Sequence, residues 1–430
     1  MNNKFSKVFL IRAAGFATHS VPYGLLYIKS YLRKAGIDSY VFDRESNRSL
    51  DLLKNVLLKY NPDIIGISAM TAQFSDVKFI IKNIRRWVGK KIIIVGGVHF
   101  TALPSDGIKC GADYIIQGEG ELSMLDFLTN GPPKKGVLIE GKTISELDDI
   151  PMIKMSDLQP FVKSPEYYHE KGFQVITARG CPYNCNFCLG RDQRPKGIRY
   201  HSIDSIVEYI SQIVKKFGIY SFNIVDDVFV INPKRIMEFC EKVQKKISLP
   251  LRFHCFTHAG HGSIELYRKM YEAGFHRISM GVEHGNDRIL SLMGKCTTTA
   301  KIEKTCAHMS KAGININLTY ILGNIEETNE TITETVNFAI HLHKHYKASS
   351  WFSYMQPLPG SPVYNVAEEY GRYLSKKHTY QNTDLCYVPS NVTIEHMIKE
   401  KERGMRLANS HNLHFGKVFR RLKFLVKRTS

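Results

Sequence analysis

Phe173-Gln174-Val175-Ile176-Thr177-Ala178-Arg179-Gly180-Cys181-Pro182-Tyr183-Asn184-Cys185-Asn186-Phe187-Cys188 is an apolar run that ends in three cysteines spaced CxxxCxxC. The run reads as a buried strand delivering the cysteines to its end. Thiolates are soft ligands suited to zinc or to iron–sulfur clusters. A structural zinc needs a fourth ligand, and His201, the nearest histidine downstream, is a poor candidate. Three thiolates on a cubane would leave one iron open to a ligand. Gly180 and Pro182 suit a tight wrap of backbone around a bulky group. The chain holds nine cysteines, an odd number that argues against a disulfide framework. Inert buried cysteines would scatter along a chain and not gather in one turn.

Outward from this segment, strand and helix patterns alternate. Downstream come a helix at 201–218, SFNIVDD as a strand, a helix at 233–246, and further strands in LRFHCFTH, RISMGVE, INLTYILG and SSWFSYMQP. These make about six β/α units, whereas a closed barrel has eight in about 250 residues. A curved parallel sheet left open on one side is therefore expected. Upstream, KVFLIR (7–12), DSYVF, DIIGIS (63–68), KIIIV (91–95) and DYIIQ (113–117) alternate with helical stretches, the first of which stops at Gly36. This pattern predicts a doubly wound parallel sheet of Rossmann-like type. Ligands of such sheets sit at the carboxyl ends of the strands, where Ser68 to Thr71, Gly96 to His99 and Gly118 to Glu121 fall. The expected division is an α/β domain at 1–130, a turn-rich linker at 131–170, a second α/β core at 171–365 and a helical region with a basic tail at 366–430.

The cysteine motif, with Phe187 before its last cysteine, resembles the signature of the radical S-adenosylmethionine (SAM) superfamily. Four further segments resemble that superfamily's motifs in order: Asp226-Asp227 at a strand end, Gly281-Val282-Glu283-His284-Gly285, Ile321-Leu322-Gly323-Asn324-Ile325-Glu326-Glu327-Thr328, and Gln356-Pro357-Leu358-Pro359-Gly360-Ser361-Pro362-Val363-Tyr364. The resemblance spans residues 173 to about 365. It implies a [4Fe–4S] cluster on Cys181, Cys185 and Cys188, whose open iron chelates SAM. One electron then cleaves SAM to methionine and a 5′-deoxyadenosyl radical. It further implies SAM contacts at Phe187, Asp226, Asp227, Glu283, Gly323 and Gln356. His284 stands where the family usually has Ser, and Ile325 and Glu326 replace its Pro and Gly.

Pro22 to Tyr27, Ile67 to Thr71, Gly96 to Pro104 and Gly118 to Glu121 resemble the cobalamin-binding domain of class B radical SAM proteins, over residues 7 to about 128. That resemblance implies cobalamin contacts at Gly24, Ser68, Thr71, Gly96, Gly97, His99, Gly118 and Glu119. The Asp-x-His-x-x-Gly motif that carries a lower axial histidine is absent, since Ser20, Val21 and Pro22 follow His19. No histidine from that motif is expected on cobalt.

The bulk numbers fit this reading. The chain has 430 residues, 43% hydrophobic and 23% charged, the composition of a globular protein. There is no apolar run of membrane-spanning length and no signal peptide, so a cytoplasmic location is expected. The formal net charge is +19, which suits an anionic partner. Residues 403–430 hold eight Lys or Arg and no acid. Phe415, Val418, Phe419, Leu422, Leu425 and Val426 fall there at helical spacing, a pattern fitting either an interfacial helix on an anionic membrane or a helix docked on the protein's own core. No RNA-binding module is visible, so nucleic acid is not the expected partner. The expected activity is methyl transfer to an unactivated centre of a lipid, pigment or secondary metabolite, fed by a flavodoxin or ferredoxin. The alternatives are a radical cyclase, oxidoreductase or rearrangement enzyme with the same cofactors, and a non-catalytic, metal-stabilised binding protein.

Overall fold

The computed structural model describes residues 5–15, 20–133, 137–190, 197–374 and 385–409. The first sheet holds β1 (Lys7–Arg12), β2 (Asp38–Asp43), β3 (Ile64–Ser68), β4 (Ile92–Gly96), β5 (Tyr114–Gln117) and β6 (Leu138–Glu140). Their order is β2-β1-β3-β4-β5-β6, and every pairing is parallel. The order reverses between β1 and β3, which opens a crevice at their carboxyl ends.

The inner strands β1, β3 and β4 are covered on both faces, which is why they read as unbroken apolar runs. In β1, Val8 and Leu10 join one core while Phe9 and Ile11 join another. The second core is closed by Leu53 and Leu57 of one helix and Val77, Ile80, Ile81 and Ile84 of the next. The first core does not end with the sheet. Leu25, Leu26, Leu32, Met124 and Phe127 belong to the same buried cluster as Phe173, Ile206 and Phe222 beyond it.

The segment expected to be a linker is part of this packing. Residues 138–140 add the edge strand β6, and Leu147, Ile150, Ile153 and Leu158 are buried in the shared core. Its turn-rich composition and short elements hid these contributions, because no periodicity can build up over so few residues.

The quoted run is also not one strand. It gives β7 (Phe173–Val175) and then β8 (Ala178–Arg179), which leaves the sheet and pairs antiparallel with β9 (Arg199–Tyr200). The remaining strands are β10 (Ser221–Ile224), β11 (Arg252–Thr257), β12 (Arg277–Glu283), β13 (Asn315–Leu322) and β14 (Ser349–Tyr354). The second sheet is six-stranded, with order β14-β13-β12-β11-β10-β7. It is parallel throughout and is the open partial barrel expected. In β13, Ile316, Leu318, Tyr320 and Leu322 are buried, while alternate residues Asn317 and Thr319 are not.

The helix Ile394–Leu407 closes the described chain against β14. The basic stretch 415–428 lies outside the described residues, as does His19. Among the described residues no helix is long and apolar enough to cross a membrane.

Candidate functional site

A cavity of about 510 Å³ lies between the carboxyl ends of the first sheet and the cysteine ribbon, a volume within the usual range for small-molecule and cofactor sites. From the first domain it is lined by Gly24, Ser68, Gly96, Gly97, Gly118 and Glu119; from the second by Ala178, Arg179 and Gly180 of the ribbon and by Val225 and Asp227 after β10. Glycine matters at two of these positions. A Cβ on Gly24 would meet nothing within 4 Å, so its place is open for a flat group to approach. Gly97 has φ +91 and ψ 179, a conformation open only to glycine, and a Cβ there would lie 2.8 Å from Ser68 Oγ.

Two residues expected at this cavity face elsewhere. His99 is fully buried under Phe74, ring centroids 4.4 Å apart, and its Nδ1 lies 3.4 Å from Thr71 Oγ1. Neither His99 nor Thr71 lines the cavity, and among the described residues no histidine does. The short helix Val98–Ala102 after β4 turns His99 inward, while Val98 and Thr101 face the space.

Four charged side chains brace the cavity wall. Arg179 Nη2 donates to Glu121 Oε1 at 2.7 Å, and Arg199 Nη1 donates to Glu119 Oε2 at 3.0 Å. Burial works against the charge of Glu119, but Arg199 and Arg179 outweigh it and hold its carboxyl below the usual range. Arg179 also lies over the Tyr27 ring, 5.1 Å from its centroid. These contacts fasten the ribbon that brackets the cysteines to the first sheet. The two arginines carry no sequence signal; only their placement on β8 and β9 reveals the role.

The acidic pair divides its labour. Asp226 is buried, and its Oδ1 accepts from the N–H of Thr177 at 2.7 Å and of Ala178 at 3.1 Å. It therefore anchors the backbone where β8 peels away, instead of facing a ligand. Burial raises its carboxyl to about 6, the hydrogen bonds working in the other direction. Asp227 is exposed and lines the cavity.

Cys181 is half-buried, Cys185 buried and Cys188 exposed. No group of three or more His, Cys, Asp or Glu among the described residues is gathered closely enough for a single metal ion. In a cubane each thiolate binds a separate iron. Burial pushes the Cys185 thiol up to about 12, with Lys295 working against it; a metal ligated there takes the proton's place.

Beneath the cysteine loop lies the segment 292–296. Asn186 N–H donates to Met293 O at 2.9 Å, and Asn186 Nδ2 donates to Leu292 O at 2.9 Å. Lys295, nearly buried, places Nζ 3.0 Å from Glu283 Oε1. Burial would lower the Lys295 pKa, yet Glu283 and Cys185 outweigh it and the net shift is upward. Glu283 ends β12 at φ +66, and the adjacent His284 reaches Glu327 Oε1 at 2.5 Å, both fully buried. Glu327 in turn accepts from Asn324 N–H at 2.9 Å and from Gly323 N–H. Gly323 itself does not face an open space, because a Cβ there would lie 2.6 Å from Met397 Cε. Phe187 packs on the cluster of Met355, Val363 and Tyr387, and half-buried Gln356 follows Met355.

Comparison with known proteins agrees with this arrangement. The profile of the Radical SAM superfamily matches residues 175–339, and that of the B12 binding domain matches residues 10–128. An uncharacterized methyltransferase of Pyrococcus horikoshii is 28% identical over 81% of this chain and 79% of its own length. The anaerobic magnesium-protoporphyrin IX monomethyl ester cyclase of Cereibacter sphaeroides is 26% identical over 80% of this chain; the match spans only 60% of that enzyme. Two solved structures share the fold. The radical SAM methyltransferase TsrM from Kitasatospora setae, with cobalamin and a [4Fe–4S] cluster bound, superposes with a TM-score of 0.70 at 18% identity, over 85% of this chain and 75% of that one. The cobalamin-dependent SAM radical enzyme OxsB, with aqua-cobalamin bound, gives 0.74 at 19% identity, over 93% and 66%. The chain belongs to the radical SAM superfamily and carries a B12-binding domain ahead of its radical SAM domain.

Proposed function

We propose that this protein is a cobalamin-dependent radical SAM methyltransferase, with a [4Fe–4S] cluster on Cys181, Cys185 and Cys188 and cobalamin in the 510 Å³ cavity. One observation carries the reading: the cavity is walled on one side by the glycine turns of the first sheet and on the other by Ala178 to Gly180, the residues leading into Cys181. When bound, the cluster supplies the electron that splits SAM, and cobalamin supplies a carrier for its methyl group.

The chain's own residues then orient these groups. Gly24 would leave room for a flat ring, Gly118 lines the same cavity, and the Arg179–Glu121 and Arg199–Glu119 contacts hold the cysteine ribbon against the first domain. Asp227 is placed to receive an ammonium group, as a carboxylate suits, while Asp226 holds the ribbon. Glu283 stands at the end of β12, paired with Lys295, and Phe187 packs against the cluster that holds Met355, the residue before Gln356. The substrate is a small molecule, and a flavodoxin- or ferredoxin-type donor supplies the electron.

The likeness to a methyltransferase over four-fifths of both chains favours methyl transfer, while the cyclase match covers less of that relative. The test is anaerobic reconstitution with hydroxocobalamin, SAM and titanium(III) citrate. We expect cobalamin retained through desalting and 5′-deoxyadenosine released, with none released by Cys185→Ala. A colourless desalted protein, or cleavage by the variant, refutes the reading. In a coupled assay a product heavier by one CH₂ unit means methylation; an unchanged carbon count favours a cyclase or oxidoreductase.

A further inference from the structure

We propose that Lys295 sets the reduction potential of the cluster, with Glu283 as its internal counter-charge. The inference rests on the cluster reading of the three cysteines given above.

The backbone at Lys295 is held from two sides. His258 Nε2 lies 2.8 Å from Lys295 O, and the His258 ring stacks on Tyr183 of the cysteine loop with centroids 3.9 Å apart. One residue earlier, a Cβ on Gly294 would lie 2.9 Å from Asn184 O and 3.7 Å from Cys185 Cα. The segment is thus pressed against the loop, and only glycine permits the approach. From this anchored position the side chain runs inward, and a Cβ on Gly281 would lie 3.0 Å from its Nζ. Glu283 is its one carboxylate partner among the described residues.

A buried ammonium–carboxylate pair is a costly way to stabilise a fold. Its placement gives it another effect. A cubane with three thiolate ligands gains one negative charge when it accepts an electron from a low-potential donor. A fixed cation nearby stabilises the reduced form more than the oxidised form, and a fixed anion does the reverse. Beside the cysteine loop, Lys295 thus raises the potential and Glu283 lowers it.

The test is a redox titration followed by EPR on anaerobically reconstituted full-length protein, without SAM and with titanium(III) citrate as reductant. Lys295→Met should shift the midpoint to more negative values, Glu283→Gln to more positive values, and Lys295→Arg should stay near the wild type. A purely structural ion pair predicts the same direction for both single variants, because each breaks the same contact. Shifts in one direction, or no shifts, overturn the inference. Should Lys295→Met hold no cluster, Glu283→Gln decides alone: a positive shift supports the inference, and a negative or null shift overturns it. A wild-type protein without iron and sulfide overturns the cluster reading, and this inference with it.

Discussion

Asp226 and Thr177, 49 residues apart, are joined twice, through the Thr177 N–H at 2.7 Å and through its hydroxyl. This contact lies where the chain leaves the second sheet for the cysteine ribbon. Asp226→Ala leaves the N–H groups of Thr177 and Ala178 without their acceptor, at a cost of roughly 2–3 kcal/mol. We expect a lower denaturation midpoint and less iron bound after reconstitution. Asp226→Asn keeps the acceptor oxygen and should bind iron as the wild type does.

His254 and Asp226 impose opposite pH dependences on stability. His254 lies 2.8 Å from both Asn223 Oδ1 and Ser279 Oγ, and burial first, then Arg277, lowers its pKa to about 4. Between pH 6.5 and about 4 the unfolded chain binds the extra proton, so stability falls as the solution is acidified, by roughly 3 kcal/mol in all. Asp226 is raised to about 6 by burial. Over pH 4 to 6 the folded chain holds that proton, so its contribution falls as pH rises, by roughly 3 kcal/mol. The two nearly cancel. Urea midpoints measured at pH 5 and pH 7 should separate them. His254→Gln should lose stability on going from pH 5 to 7 relative to wild type, and Asp226→Asn should gain it. Parallel responses would contradict the assignment.

Gly24 and Gly97 line one cavity but should respond differently to substitution. Gly24→Leu puts its side chain into open space, so the melting temperature should hold while cobalamin retention drops. Gly97→Ala forces a Cβ into a backbone conformation that costs roughly 1–3 kcal/mol and against Ser68 Oγ. Its melting temperature should fall. Equal melting temperatures for the two variants would count against the geometry.

Glu326 occupies φ +61 where the superfamily's motif carries glycine. A left-handed non-glycine residue costs about 1–2 kcal/mol, partly offset by the backbone entropy that glycine loses on folding. Glu326→Gly should therefore stabilise the protein by about 0.5–1 kcal/mol, read as a higher urea midpoint. A lower midpoint would show that the Arg288 contacts to Glu326 outweigh the strain.

Both sheets were legible in the sequence because their strands are apolar runs bounded by glycine and helical periodicity. The three cysteines were legible because they cluster at a strand end. The break after Val175 was not, since the apolar pattern runs on through Ile176 to Ala178 and the cause is Asp226, far along the chain. Asp226 and Asp227 could not be told apart by type; only burial separates the anchor from the cavity-facing carboxylate. His99 and Gly323 sit in motifs that resemble the family's, yet both pack inward. Lys295, Arg179 and Arg199 left no trace, because a single charge acquires its role from a partner that spacing cannot reveal.

On the reading proposed above, Cys181, Cys185 and Cys188 together hold a four-iron cluster with one iron left open. Mössbauer spectroscopy of anaerobically purified, iron-57-labelled protein decides this. We expect a cubane signal in which one iron changes its isomer shift when SAM is added, and loss of that signal in Cys181→Ala, Cys185→Ala and Cys188→Ala. A protein that carries zinc at these cysteines, or an iron signal indifferent to all three substitutions, would contradict it.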